Sequence, residues 1–174
     1  MVLVAGGLVL GACARAEPPP PRPEVSVEAA RVEHPLDARG LRSCEILPAL
    51  DAARIDIDPR TARDESNAIA SVCLWQSLDR AMSIRVILNV DYSIEVMFGS
   101  LQAAEGRREY EIRGYPAVRE SPEGASLCAV HVAIAESQVF TVEATSSRPE
   151  PSVRPCESAE SAAGAVVDAI AARG

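Results

Sequence analysis

Apolar and polar residues alternate most clearly in one stretch: Ile84, Val86, Leu88 and Val90 fall on one side, Ser83, Arg85 and Asn89 on the other. A period of two marks a strand with one buried face. Cys73 and Trp75 share a face within Val72-Cys73-Leu74-Trp75-Gln76, and Cys128, Val130, Val132 and Ile134 share one further along. Phe140, Val142 and Ala144 continue the alternation after Glu136-Ser137-Gln138, which predicts an antiparallel hairpin. Tyr110 and Ile112 predict another strand. It leads into Gly114-Tyr115-Pro116-Ala117-Val118, where Gly permits unusual torsions and Pro interrupts a ladder, so a bend or sheet edge is expected. At the C-terminus the spacing becomes helical through Cys156, Ala159, Ala163, Val166, Val167 and Ile170. Glu157 and Glu160 suit the positive start of that helix, and Arg173 with Gly174 its end. A shorter helix is expected to open at Pro48, a residue tolerated in a first turn. From Ile94 to Ala104 a short helix fits, with strand as the alternative for Ile94 to Phe98. These elements predict an α+β fold, an antiparallel sheet of about four to six strands with two or three helices on one face.

The N-terminus follows a different rule. Residues 1–12 are small or aliphatic and end in Leu10-Gly11-Ala12, directly before Cys13. A bilayer-spanning helix needs roughly 20 such residues, so the stretch is too short to cross and has the make-up of a signal-peptide core. Leu10-Gly11-Ala12-Cys13 resembles the lipobox of bacterial lipoprotein precursors. That resemblance implies a diacylglyceryl group on the Cys13 thiol, cleavage before Cys13, and a mature protein held on a bilayer by two acyl chains. A secretory signal usually opens with positive charge, and none precedes this apolar run, which implies an upstream start. Behind Cys13, Glu17-Pro18-Pro19-Pro20-Pro21-Arg22-Pro23 lacks the amide donors of helix or sheet and favours an extended conformation. Few large apolar residues occur before Gly40, so residues 13–39 are expected to form a flexible tether. The roughly 135 residues left, 40–174, suffice for one domain with a modest core.

Four further cysteines, Cys44, Cys73, Cys128 and Cys156, are an even number in a chain expected outside the cytoplasm, which favours two disulfides. Three connectivities are possible. Cys44 and Cys156 stand at the starts of expected helices and Cys73 and Cys128 lie in strands, so the pairing chosen is Cys44 with Cys73 and Cys128 with Cys156. A metal site is not expected: there is no Cys-x-x-Cys pair, and the only histidines are His34 and His131.

Taken in order, Cys13, Cys44-Glu45-Ile46-Leu47, Cys73-Leu74-Trp75, Gly114-Tyr115-Pro116-Ala117-Val118, Cys128-Ala129-Val130 and Cys156 resemble a family of uncharacterised actinobacterial lipoproteins whose exported domain carries two Cys pairs. The resemblance covers nearly the whole mature chain. It implies a membrane-tethered, disulfide-bonded α+β domain of unknown function and supplies no catalytic residues.

Composition narrows the function classes. The net charge of −8 lies wholly beyond residue 12, which disfavours nucleic acid and anionic surfaces. All 17 basic residues are Arg, a bias that with abundant Ala and Val points to a GC-rich, actinobacterial source. Six aromatic residues leave little for stacking-based recognition. His131 is the one histidine past Gly40, set on the strand face opposite Cys128 among Ala129, Ala133 and Ala135; no Gly-x-Ser-x-Gly elbow accompanies it. Asp56, Asp58, Asp64 and Glu65 could hold calcium but lack the spacing of an EF-hand, so a solvated acidic loop is the expectation. Trp75 is expected in the core, and Arg107, Arg108 and Arg113 form a local basic cluster at a strand end. No cofactor is implied. The expectation is a non-enzymatic binding, sensor or accessory module, lipid-anchored on the extracytoplasmic side of the cell membrane and contacting an envelope or membrane-protein partner. The alternatives are a carrier or sensor for an apolar small molecule in a cavity between helix and sheet, and an envelope hydrolase using His131.

Overall fold

The computed structural model describes residues 31–47, 55–123, 126–147 and 154–174. Cys13, the apolar N-terminus, the Pro-rich stretch and the helix expected at Pro48 lie outside these residues. In chain order the elements are helix α1 (Ser43–Ile46), strands β1 (Ile57–Asp64), β2 (Ser71–Ser77) and β3 (Met82–Asn89), helix α2 (Ile94–Ser100) with a single turn at Leu101–Ala103, strands β4 (Arg108–Ile112), β5 (Tyr115–Glu120), β6 (Leu127–Ala135) and β7 (Gln138–Ser146), and helix α3 (Pro155–Ala171). The seven strands form one antiparallel sheet in the order β1-β2-β3-β7-β6-β5-β4.

The sheet therefore exceeds the four to six strands expected, and the fold is mostly β. The two strands that the pattern did not reveal are β1 and β5. In β1 only Ile57 is buried, because an outer strand with exposed faces needs no apolar alternation. The acidic loop expected around Asp58 and Asp64 is this edge strand. In β5, Pro116 broke the pattern, yet the strand lies inside the sheet between β6 and β4. Arg113 and Gly114, both with positive φ (54° and 81°), make the two-residue turn that joins β4 to β5. Such turns match the twist of a hairpin and need left-handed backbone at both positions, which glycine supplies without strain.

Alternation divides the side chains between two faces. Cys73, Trp75, Ile84, Val86, Val130, Val132, Phe140, Val142 and Ala144 face a core closed by α1 and α3. Helix α3 starts with Pro155 at its first position and turns Ala159, Ala162, Ala163, Val166, Val167 and Ile170 inward. Burying each such Val, Ile or Phe stabilises by about 1.5–3 kcal/mol. Helix α2 departs from the expectation of helices on one face. Its Ile94 and Met97 pack on Ala133 and Val139, the neighbours of Val132 and Phe140 in sequence, and therefore on the opposite side of the sheet. The Val96 amide donates to Ser93 Oγ at 3.2 Å, which starts α2 as a helix and decides against the strand alternative.

Two disulfides each join a helix to a strand, Cys44 to Cys73 and Cys128 to Cys156, with Cα atoms 5.0 and 5.1 Å apart. The segment before Gly40 also bonds to the sheet. The Leu36 amide donates to Ile134 O at 2.8 Å, the Ala38 amide to Gln138 Oε1 at 2.7 Å, and Tyr115 Oη to His34 O at 2.8 Å. Residues 34–38 are thus fastened to the sheet at the β6–β7 end.

Replacing Cys128 and Cys156 together by Ala opens a 28-residue separation and is expected to cost about 3–4 kcal/mol on the chain-entropy model. Urea unfolding of oxidised wild type against the double variant measures this; a loss below about 1 kcal/mol would show that α3 is held by packing alone.

Candidate functional site

The face of the sheet turned away from α3 carries the polar chemistry. His131 on β6 stands directly opposite Thr141 on β7 and opposite Val118 on β5. Its Nδ1 lies 2.9 Å from Thr141 Oγ1 and its Nε2 3.2 Å from Glu120 Oε1. Burial holds the imidazole below its usual 6.5, opposed by the Glu120 hydrogen bond and by the charges of Glu120 and Glu143. The neutral ring then has one tautomer that satisfies both partners. An ionised carboxylate only accepts, so Nε2 carries the proton and donates to Glu120, leaving Nδ1 to accept from the Thr141 hydroxyl.

That order, hydroxyl to imidazole to carboxylate, is also the order of a nucleophile, base and orienting acid. The surroundings differ from those of a nucleophile. Thr141 is 7% exposed, and it lies mid-strand between β3 and β6, where backbone amides are committed to the two ladders rather than pooled as oxyanion donors. In this setting the trio ties β5, β6 and β7 together across the sheet.

Beside it runs a second polar row. Arg85 on β3 faces Glu143 on β7 and meets it at 3.0 Å, and it reaches Glu65 at 3.2 Å. Burial works against the Arg85 charge, but Glu143 and Glu65 outweigh it and raise its pKa. Glu65 in turn is held low by Arg63 and then by Arg85. Neither row was legible as a unit in the sequence, since Arg85 and Glu143 stand 58 positions apart and only strand register makes them neighbours.

The other candidate residues separate. Asp58 accepts from Arg60, Asp64 from Ser66 and Arg42, and Asp56 occupies a left-handed turn position at φ 58°. Asp58, Asp64 and Glu65 thus serve different local bonds, and no group of three or more His, Cys, Asp or Glu is placed for a metal among the described residues. Trp75 is 2% exposed, in the core beside Cys73. Arg107 pairs with Glu109, Arg108 lies on β4, and Arg113 crosses to Asp168 of α3 at 3.1 Å, so the three arginines do not share one patch. Between α3 and the sheet, Val130, Val132, Phe140, Val142 and Val166 are each fully buried, which is packed core where an apolar carrier would need space. A groove of about 250 Å³ does open at the end of the sheet near the β2–β3 turn, between Ser77, Asp79, Met82 and the start of α3 at Arg154 and Ser158. Its polar groups have internal bonds: Ser77 Oγ donates to Asp79 Oδ1 at 2.7 Å and Arg154 pairs with Glu157 at 2.7 Å.

The lowered pKa of His131 makes stability depend on pH with a definite sign. Its contribution is complete above the unfolded value near 6.5 and is lost as pH falls through the lower folded value. Urea midpoints recorded from pH 7.5 down to about pH 5 should therefore fall more steeply for wild type than for His131→Gln. Parallel profiles would remove His131 as the source.

No curated protein and no solved structure matches the chain. Residues 8–169 match the model of a family described as proteins of unknown function, DUF3558. With that match spanning nearly the entire sequence, from the apolar N-terminus to the last turn of α3, the chain belongs to the DUF3558 family.

Proposed function

We propose that the protein is an extracytoplasmic lipoprotein of actinobacterial type, anchored through Cys13, whose disulfide-bonded domain is a non-enzymatic binding or accessory module for an envelope or membrane-protein partner. The observation that carries the location is the use of Cys44, Cys73, Cys128 and Cys156 in two helix-to-strand disulfides. Bridges of this kind persist in oxidising compartments. Cys13 is then the odd cysteine, behind an apolar run and ahead of a Pro-rich spacer, where lipidation is the chemistry that fits. No helix among the described residues is long and apolar enough to cross a membrane.

The non-enzymatic part rests on His131. Both ring nitrogens are occupied by Thr141 and Glu120, and the residues around them belong to inner strands. A base that must exchange protons with a substrate needs an open side. The family match is in keeping with this reading and assigns no activity of its own.

Cys13→Ser tests the anchor. Wild-type protein from the host membrane fraction should carry a diacylglyceryl mass on Cys13 and no free thiols, while the variant should lack the lipid and leave the membrane fraction. An unacylated, reduced wild type recovered from the cytosol would end the proposal.

A further inference from the structure

The two faces of the sheet are covered unequally. Helix α3 buries eight residues, belongs to the main core and is bonded through Cys156 to Cys128. Helix α2 has seven residues and buries two, Ile94 and Met97, in a small cluster with Ala133 and Val139 that is separate from that core. A helix this short is not stable alone and stays folded only while it is packed. The span that contains it is pinned at both ends. The Ile94 amide donates to Glu136 O at 3.2 Å, and Gly106, at φ 65°, lies so close to Ser121 that a side chain there would run into the Ser121 carbonyl. Between these points Met97, Phe98 and Leu101 hold the span to the sheet. A segment with so few buried contacts opens at a lower free energy than the whole fold.

The same small cluster takes in Val32 from the N-terminal part of the chain. Further on, the chain is gripped by the main body of the fold. Leu36 packs on the main core and its amide bonds to Ile134 O at 2.8 Å, and the Ala38 amide bonds to Gln138 Oε1 at 2.7 Å. Between Val32 and Leu36 there is an exposed bond from Tyr115 Oη to His34 O. Val32 is therefore seated in the part of the molecule that opens most readily, whereas Leu36 and Ala38 are tied to inner strands.

From this arrangement we infer that α2 is a clasp on the N-terminal chain: seated on the sheet it holds the chain at Val32, and lifted between its pinned ends it releases the chain back to Leu36. The four positions from Val32 to Leu36 add about 13 Å when extended. For a domain anchored through Cys13, opening the clasp lengthens its reach from the bilayer, so this part of the inference rests on the anchored reading. Val32 and Met97 share one cluster, and residues that share a packing site are coupled. Loosening either one therefore loosens the other.

The test uses the full chain with both disulfides formed and takes two readings: hydrogen exchange of the α2 amides, and the rate of trypsin cleavage after Arg31 relative to cleavage after Arg15. Met97→Asp puts a charge into the cluster and should raise α2 exchange and Arg31 cleavage together, by at least about tenfold. A side chain at Gly99 would meet nothing within 4 Å, so Gly99→Ala strengthens the helix without a clash and should slow both readings about two- to fivefold. Val32→Ser should speed α2 exchange while the β6 amides stay as protected as before. Gly99→Ala and Val32→Ser leave the main core untouched and decide the matter if Met97→Asp unfolds the domain. The inference is overturned if α2 amides exchange only as fast as those of β6, if Arg31 cleavage does not follow α2 exchange, or if Val32→Ser leaves α2 exchange unchanged. None of these readings involves the lipid. Their failure with Cys13 acylated leaves the anchor standing, whereas a working clasp on an unacylated chain ends the anchored reading and the gain in reach with it.

Discussion

Antiparallel pairing of β3, β7 and β6 is the constraint on which the rest of the structure depends. Once Val86 is opposite Val142 and Val142 opposite Val130, every second residue on three strands is committed to the same face. That face becomes the core under α3. The intervening residues, Arg85, Glu143, Thr141 and His131, are committed to the other face at the same time. A shift of one residue in β7 would put Glu143 into the core and Val142 on the surface, exchanging every contact at once. The polar rows and the apolar core are therefore consequences of one register.

The two disulfides act on the same frame from its helices. Cys128 lies on the core side of β6 and fastens the first turn of α3, and Cys73 beside Trp75 fastens α1 to β2. Small residues in α3, among them Ala159, Ala162, Ala163 and Gly164, bring the helix close to the sheet. Gly164 is also where Arg113 of the β4–β5 turn lies against the helix on its way to Asp168. A modest core of short side chains is thus supplemented by covalent ties, which matter most where a domain is small.

Half-buried charge on the open face is balanced within the domain. Arg85 is shared by Glu143 and Glu65, and His131 stands between a hydroxyl and a carboxylate. Such groups would be costly if left single, and paired across strands they stiffen the sheet. Chemistry that looks suggestive in one dimension, a lone histidine or a run of acids, is in three dimensions absorbed by neighbours.

The sequence by itself determined the strands that alternate, β2, β3, β6 and β7, the C-terminal helix after Pro155, and the helix-to-strand logic of the four cysteines. In each case one face must be apolar to pay for burial, and that requirement is written locally with a period of two or of 3.6. Strands β1 and β5 escaped because Asp58, Pro59 and Arg60, or Tyr115 and Pro116, carry no such alternation; their places are secured by neighbouring strands through backbone bonds that need no apolar period. Only the tertiary structure decided that α2 covers the face opposite α3, that His131 meets Thr141 and Glu120, and that Arg85 lies between Glu143 and Glu65. These are contacts between residues far apart in the chain, and strand order and register, which no local period encodes, bring them together.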